Sequence, residues 1–83
     1  MPIVAEFDGI RIMFYANEHP PPHFHAYCAE HVASFDIATL SVIEGFLPVA
    51  KRRKVIRWAA TRQDALLEAF LRTTSHEKVE RIP

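Results

Sequence analysis

The sequence predicts an α+β domain, a small antiparallel β-sheet covered on one face by C-terminal helices. Three observations predict it. Apolar and polar residues alternate with a period of two from Ile3 to Ile37, as in half-buried strands. Asp8-Gly9 interrupts that alternation where a two-residue hairpin turn would sit. After Pro48 the apolar spacing lengthens to that of a helix. The single domain is expected over residues 1–73, with strands from about 2 to 45 and helices from about 48 to 73. The polar stretch 74–83 is expected to fray.

Each element has its own signal. In the first strand, Ile3, Ala5 and Phe7 form an apolar inner face, with Val4, Glu6 and Asp8 outside. Asp8-Gly9 suits a type I′ turn, which needs positive φ at both central residues. Ile10, Ile12 and Phe14 continue the inner face, and Arg11, Met13 and Tyr15 the outer. In residues 16–22, Pro20, Pro21 and Pro22 remove three backbone donors and hold φ near −65°. This stretch reads as a stiff, polyproline-like arm leading into the next strand.

That strand runs from His23 to Cys28, with Phe24, Ala26 and Cys28 inward and His23, His25 and Tyr27 outward. A further strand turns Ala33, Phe35 and Ile37 inward and Ser34 and Asp36 outward, and residues 39–45 supply a last short one. Pro48 suits the first turn of a helix, where a missing N–H costs nothing. Val55, Ile56 and Ala59 follow at helical spacing with Trp58 beside them. Thr61 and Asp64 read as a variant capping box opening a second helix, striped by Ala65, Leu66, Ala69 and Phe70. These helices are the only segments left to cover the apolar face of the sheet.

Composition narrows the function classes. With 83 residues the chain has room for one core and not for two. Hydrophobic residues at 49% and charged residues at 24% exclude a disordered chain. The single cysteine, Cys28, rules out an intrachain disulfide and falls among core residues. Ten basic and ten acidic residues cancel, so the chain as a whole does not attract nucleic acid or acidic lipid. There is no signal-peptide pattern and no apolar run near the roughly 20 residues that span a bilayer. A cytoplasmic protein with no membrane partner and no cofactor is expected. A domain this small is marginal alone, which favours a homo-oligomer or a small partner protein.

The outer sheet face holds the candidate chemistry. His23 and His25 lie side by side on one strand, and the proline run brings His19 near. Imidazole titrates near neutrality, so His23 and His25 could serve as an acid–base pair with Arg11 stabilising developing charge. That arrangement would suit metal-independent RNA cleavage. The spacing of His19, His23 and His25 also fits a divalent-metal site, with Glu18 as another source of the third ligand. Against both stands the plain reading that an uncovered antiparallel sheet carries such residues anyway. In that case His19, Tyr15 and Tyr27 belong to a binding surface. Ser34 and Asp36 share the face, but no nucleophile elbow accompanies them and no triad is read.

A second cluster is Lys51, Arg52, Arg53, Lys54 and Arg57, five of the ten basic residues. They fall at the start of a helix, where positive charge opposes the macrodipole. Placement against that preference suggests contact with phosphate, nucleic acid or an acidic partner. A solvated helix face is the alternative. No aromatic residues interleave with the cluster, so a base-stacking platform is not supported.

The stretch Asn17, Glu18, His19, Pro20, Pro21, Pro22, His23, Phe24, His25 resembles a small bacterial family catalogued as domain of unknown function 4160. Asp8 to Ile12, Ile43 to Pro48, Trp58 and Leu67 resemble it as well, so the likeness covers roughly residues 1–72. Ala16 stands where the family commonly has Ser, and Pro20 occupies its variable position. The resemblance implies a compact α+β fold. It also implies a gene beside that of a second small protein, in pairs resembling toxin–antitoxin modules, and hence a protein partner. It carries no catalytic role onto any residue.

Overall fold

A computed structural model describes residues 3–83; Met1 and Pro2, where the expected strand region begins, lie outside the described residues. Five strands run in chain order, β1 (Ile3–Phe7), β2 (Ile10–Met13), β3 (His23–Cys28), β4 (His31–Asp36) and β5 (Val42–Phe46). They form one antiparallel meander in which each strand pairs with its sequence neighbour. Two helices follow, α1 (Val49–Ala60) and α2 (Gln63–Thr74). The fold class is the one the sequence predicts. Among the described residues no helix is long and apolar enough to cross a membrane.

The inner face matches the alternation closely. Ile10, Ile12, Phe14, Phe24, Ala26, Ala33, Phe35 and Ile37 are all buried. Phe24 and Phe35 are register partners, and their rings stack 5.3 Å apart and nearly parallel. Val55 and Ala59 of α1 and Leu66, Ala69 and Phe70 of α2 close the core over that face, with Leu47 from the connection after β5. Phe7 stacks on Trp58 at 5.1 Å, so the first hairpin is held to α1 by an aromatic pair. At the tip of that hairpin Asp8 has φ 48° and Gly9 φ 75°, the double positive φ that a type I′ turn requires.

Several expectations are corrected. Val4 is fully buried while Ile3 is half-exposed, because the β1–β2 register slips between Ile3 and Ala5. Val4 is the extra residue of that bulge, and the strict alternation fails there. Residues 16–22 form no polyproline arm. They turn at Ala16 and Asn17 and bend at Pro20 and Pro21, with a cis bond between the two prolines. The last strand begins at Val42, because Asp36 caps the preceding loop by accepting the Ala38 and Thr39 amides at 2.8 and 3.1 Å. Pro48 is the N-cap of α1, one place before the first turn. No capping box forms: Thr61 closes α1, Arg62 precedes α2, and Ala65 is exposed. Gln63 instead anchors α2 by donating to the Ile37 carbonyl at 2.8 Å.

The stretch expected to fray lies back on the domain. The Ile82 amide donates to the Val4 carbonyl at 2.7 Å, Arg81 pairs with Glu6, and Val79 and Ile82 pack against the core. The two apolar side chains in an otherwise polar segment explain its adherence.

Gly45 marks a tight point of the sheet. Its φ is +84°, and an added Cβ would stand 2.2 Å from the Val32 carbonyl oxygen. Gly9 has φ +75° but open space around it. Gly45→Ala should therefore destabilise the fold by more than Gly9→Ala, for which left-handed backbone alone costs about 1–3 kcal/mol. Urea unfolding of the two variants checks the order; equal midpoints would remove the steric argument.

Candidate functional site

The outer face of the sheet gathers a polar cluster because the register aligns it. Met13, His25, Ser34 and Glu44 occupy one row across β2, β3, β4 and β5. His23 sits two residues from His25 on the same face of β3, its ring centroid 5.2 Å from that of His25. The turn at Ala16 and Asn17 then lays the Glu18 carboxylate against both imidazoles. His25 Nε2 hydrogen-bonds Glu18 Oε1, and His23 Nε2 lies 3.2 Å from Glu18 Oε2. The far nitrogens are also engaged. His23 Nδ1 donates to the Pro21 carbonyl at 2.7 Å, and His25 Nδ1 meets the Ser34 hydroxyl at 3.1 Å.

Aromatic rings brace the pair. Tyr15 stands edge-on to His25 at 4.7 Å, and Phe70 from α2 backs His23 at 5.6 Å. The side chains of His23, His25 and Glu18 are only 12%, 17% and 21% exposed. The remaining opening is a cleft of about 270 Å³ bordered by His19, Pro20, Pro21, Ile43 and Glu44. Its size suits an ion or a small group better than a nucleotide.

Burial pushes the Glu18 carboxyl up, but the hydrogen bonds and charge of His25 and His23 outweigh it and hold the group below its ordinary value. Tyr15 is pushed up to about 12, first by burial and then by its hydrogen bond with the Tyr27 hydroxyl.

Of the residues singled out in the sequence, the structure brings together His23, His25, Tyr15 and Tyr27. His19 lines the cleft but is exposed and outside the cluster. Arg11 is exposed, pairs in register with Tyr27, and does not border the cleft. The two imidazoles both aim Nε2 at the Glu18 carboxylate.

The basic cluster is elsewhere, on α1. Lys51 donates to the Asp8 carbonyl at 2.7 Å and Lys54 reaches the Asp8 carboxylate at 3.2 Å. Part of the unfavourable charge at the helix start is thus matched by the hairpin tip. Arg52, Arg53 and Arg57 form no ion pair among the described residues.

Sequence reasoning gave Ser34 no role and did not reach the Pro21 carbonyl or Glu44. Placing Ser34 opposite His25 requires knowing that β3 and β4 join through Ala29 and Glu30, with Ala29 at φ 54°. Ala-Glu is not a recognisable hairpin signal, so the sequence held no clue to that register.

Two predictions follow from the charges. A carboxyl whose folded value is depressed stabilises the fold above its unfolded value, about 4.3, and that stability is lost as pH falls toward the folded value. Glu18→Gln should therefore lower urea stability clearly at pH 7 and progressively less below about pH 4; a deficit that stays constant with pH would refute the linkage. With only two tyrosines in the chain, tyrosinate absorbance can follow Tyr15 alone in Tyr27→Phe. Its pKa should fall from about 12, and an unchanged titration would show that burial acts without the hydroxyl pair.

A family model described as Domain of unknown function (DUF4160) matches residues 9–70. The match spans the whole cleft and the basic cluster. No curated protein and no solved structure matches the chain. The family match covers more than half of the sequence, and the chain belongs to the DUF4160 family.

Proposed function

We propose that this protein is a small binding module that captures an extended segment of a partner protein along β5. The observation that carries this reading is the state of that strand. All five of its residues are exposed, including Val42, Ile43 and Phe46 at 36%, 49% and 58%. Among the described residues β5 ends the sheet order, and no strand lies beside its outer edge. Unpaired backbone groups on such an edge accept another strand, and exposed apolar side chains add burial. Val32, opposite Phe46, and Val49, at the start of α1, are also exposed and extend the apolar strip.

The contrast with the opposite edge supports the reading. β1 is partly covered by the chain's own C-terminal segment through Ile82 and Arg81. Glu44 is the one charged residue of β5, which favours a segment with Lys or Arg opposite it. A second copy paired antiparallel about the strand centre would set Glu44 against Glu44, and like charges directly opposite destabilise. A partner of this kind accords with a component of a toxin–antitoxin-like pair, the arrangement that the family resemblance implies.

The test is co-expression with the product of the adjacent gene. A complex stable at micromolar concentration is expected, with slowed hydrogen exchange in β5 and loss of the complex in Ile43→Lys, which keeps its fold. Independent monomers, a homodimer joined through β5, or protection confined to another surface would each overturn the proposal.

A further inference from the structure

We infer that Glu18, His23 and His25 form a binding site for a divalent transition-metal ion of the zinc type, with an open coordination position facing the cleft. One carboxylate oxygen and two imidazole nitrogens, one from each residue, all lie within 4.8 Å of one another. Ligands about 2.0–2.1 Å from a tetrahedral ion lie about 3.3–3.4 Å apart. His23 Nε2 and Glu18 Oε2, at 3.2 Å, are already at that spacing. Side-chain adjustments of about 1 Å place all three around one ion.

The placement of protons points the same way. The Pro21 carbonyl can only accept, so the proton on His23 is at Nδ1. Nε2 is then left for Glu18: a proton there pairs with the carboxylate, and a metal ion can take that proton's place between the two. His25 has a matching arrangement, because the Ser34 hydroxyl can accept from Nδ1 while Nε2, bonded to Glu18, can exchange its proton for the ion. Each imidazole thus has an outer partner of the sort that orients a metal ligand, a backbone carbonyl for one and a hydroxyl for the other.

The scaffold favours a preformed site. His23 and His25 project from β3, which has a strand on either side, and Phe70 and Tyr15 brace their rings. Two nitrogens and one oxygen suit zinc and its transition-metal neighbours, and disfavour magnesium and calcium, which take oxygen ligands. Three protein ligands leave room for a water or a small ligand in the cleft beside Glu44. This inference does not depend on partner capture at β5.

The experiment uses the full chain, free of any affinity tag, titrated with zinc and with cobalt(II) by calorimetry and visible absorption. One ion per chain and cobalt bands of a four- or five-coordinate site are expected. Glu18→Gln and His25→Gln should each weaken affinity about 100-fold or more, Ser34→Ala about 10-fold, and His19→Ala not at all. Nitrogen-15 spectra of the five imidazoles give a readout on unmutated protein. Zinc should move the Nε2 signals of His23 and His25 and leave those of His19, His31 and His76 in place. Absence of stoichiometric binding, affinity that survives Glu18→Gln, or a His23 ring that keeps protons on both nitrogens in the presence of zinc would each overturn the site.

Discussion

The pairing of β3 between β2 and β4 is the constraint on which the rest of this protein rests. β3 is the central strand, and its side chains divide cleanly, Phe24, Ala26 and Cys28 into the core and His23, His25 and Tyr27 to the outer face. A slip of one residue would exchange the two sets. It would expose Phe24, break its stack with Phe35, and drive two imidazoles beneath the helices. Burying an unpaired polar ring costs several kcal/mol or forces it to find new partners. The apolar core therefore sets the register, and the register in turn sets the row of Met13, His25, Ser34 and Glu44 from which the cleft is built.

The helices act on the site from behind. α2 is anchored at its start by Gln63 on the Ile37 carbonyl, and one turn beyond Leu66 it presents Phe70 both to the core and to the His23 ring. A residue counted as core packing is thus also a wall of the polar cluster. Tyr15 plays the equivalent part on the other side, joined by hydroxyl to Tyr27 and edge-on to His25. The cluster is held by apolar and aromatic contacts on its flanks. Its hydrogen bonds point inward to Glu18 and outward to Pro21 and Ser34. That division keeps the cleft side of the two rings uncluttered.

The two edges of the sheet are treated differently. The C-terminal segment lies along β1 and satisfies the Val4 carbonyl, while β5 ends the sheet with every side chain exposed. Small domains commonly guard both edges against aggregation. Here the guard on β5 is slight, a single Glu44 and the irregular backbone at Gly45 and the β4–β5 bulge. The cleft opens toward that same strand, since Ile43 and Glu44 form its rim. A segment bound on β5 would therefore sit beside the His–Glu cluster, which brings the molecule's two distinctive surfaces together in one region.

Much was legible in the sequence because it depends on local periodicity. The two-residue alternation, Asp8-Gly9 and the change of spacing after Pro48 sufficed for the strands, the first hairpin, the helices and the outward placement of His23 and His25. Those signals report which side of the chain avoids water, a property of each segment alone. The bulge that buries Val4, the unused Thr61–Asp64 cap and the return of residues 75–83 to β1 were not legible, because each depends on a partner distant in sequence. The membership of the cluster was decided the same way. The spacing of His19, His23 and His25 suggested His19 as third member, with Glu18 an alternative. The fold of residues 16–22 instead turns Glu18 inward and His19 to the rim, and the β3–β4 register supplies Ser34. Sequence determined which residue types were present and which face they shared; only the closing of loops and the pairing of strands in space decided which atoms meet.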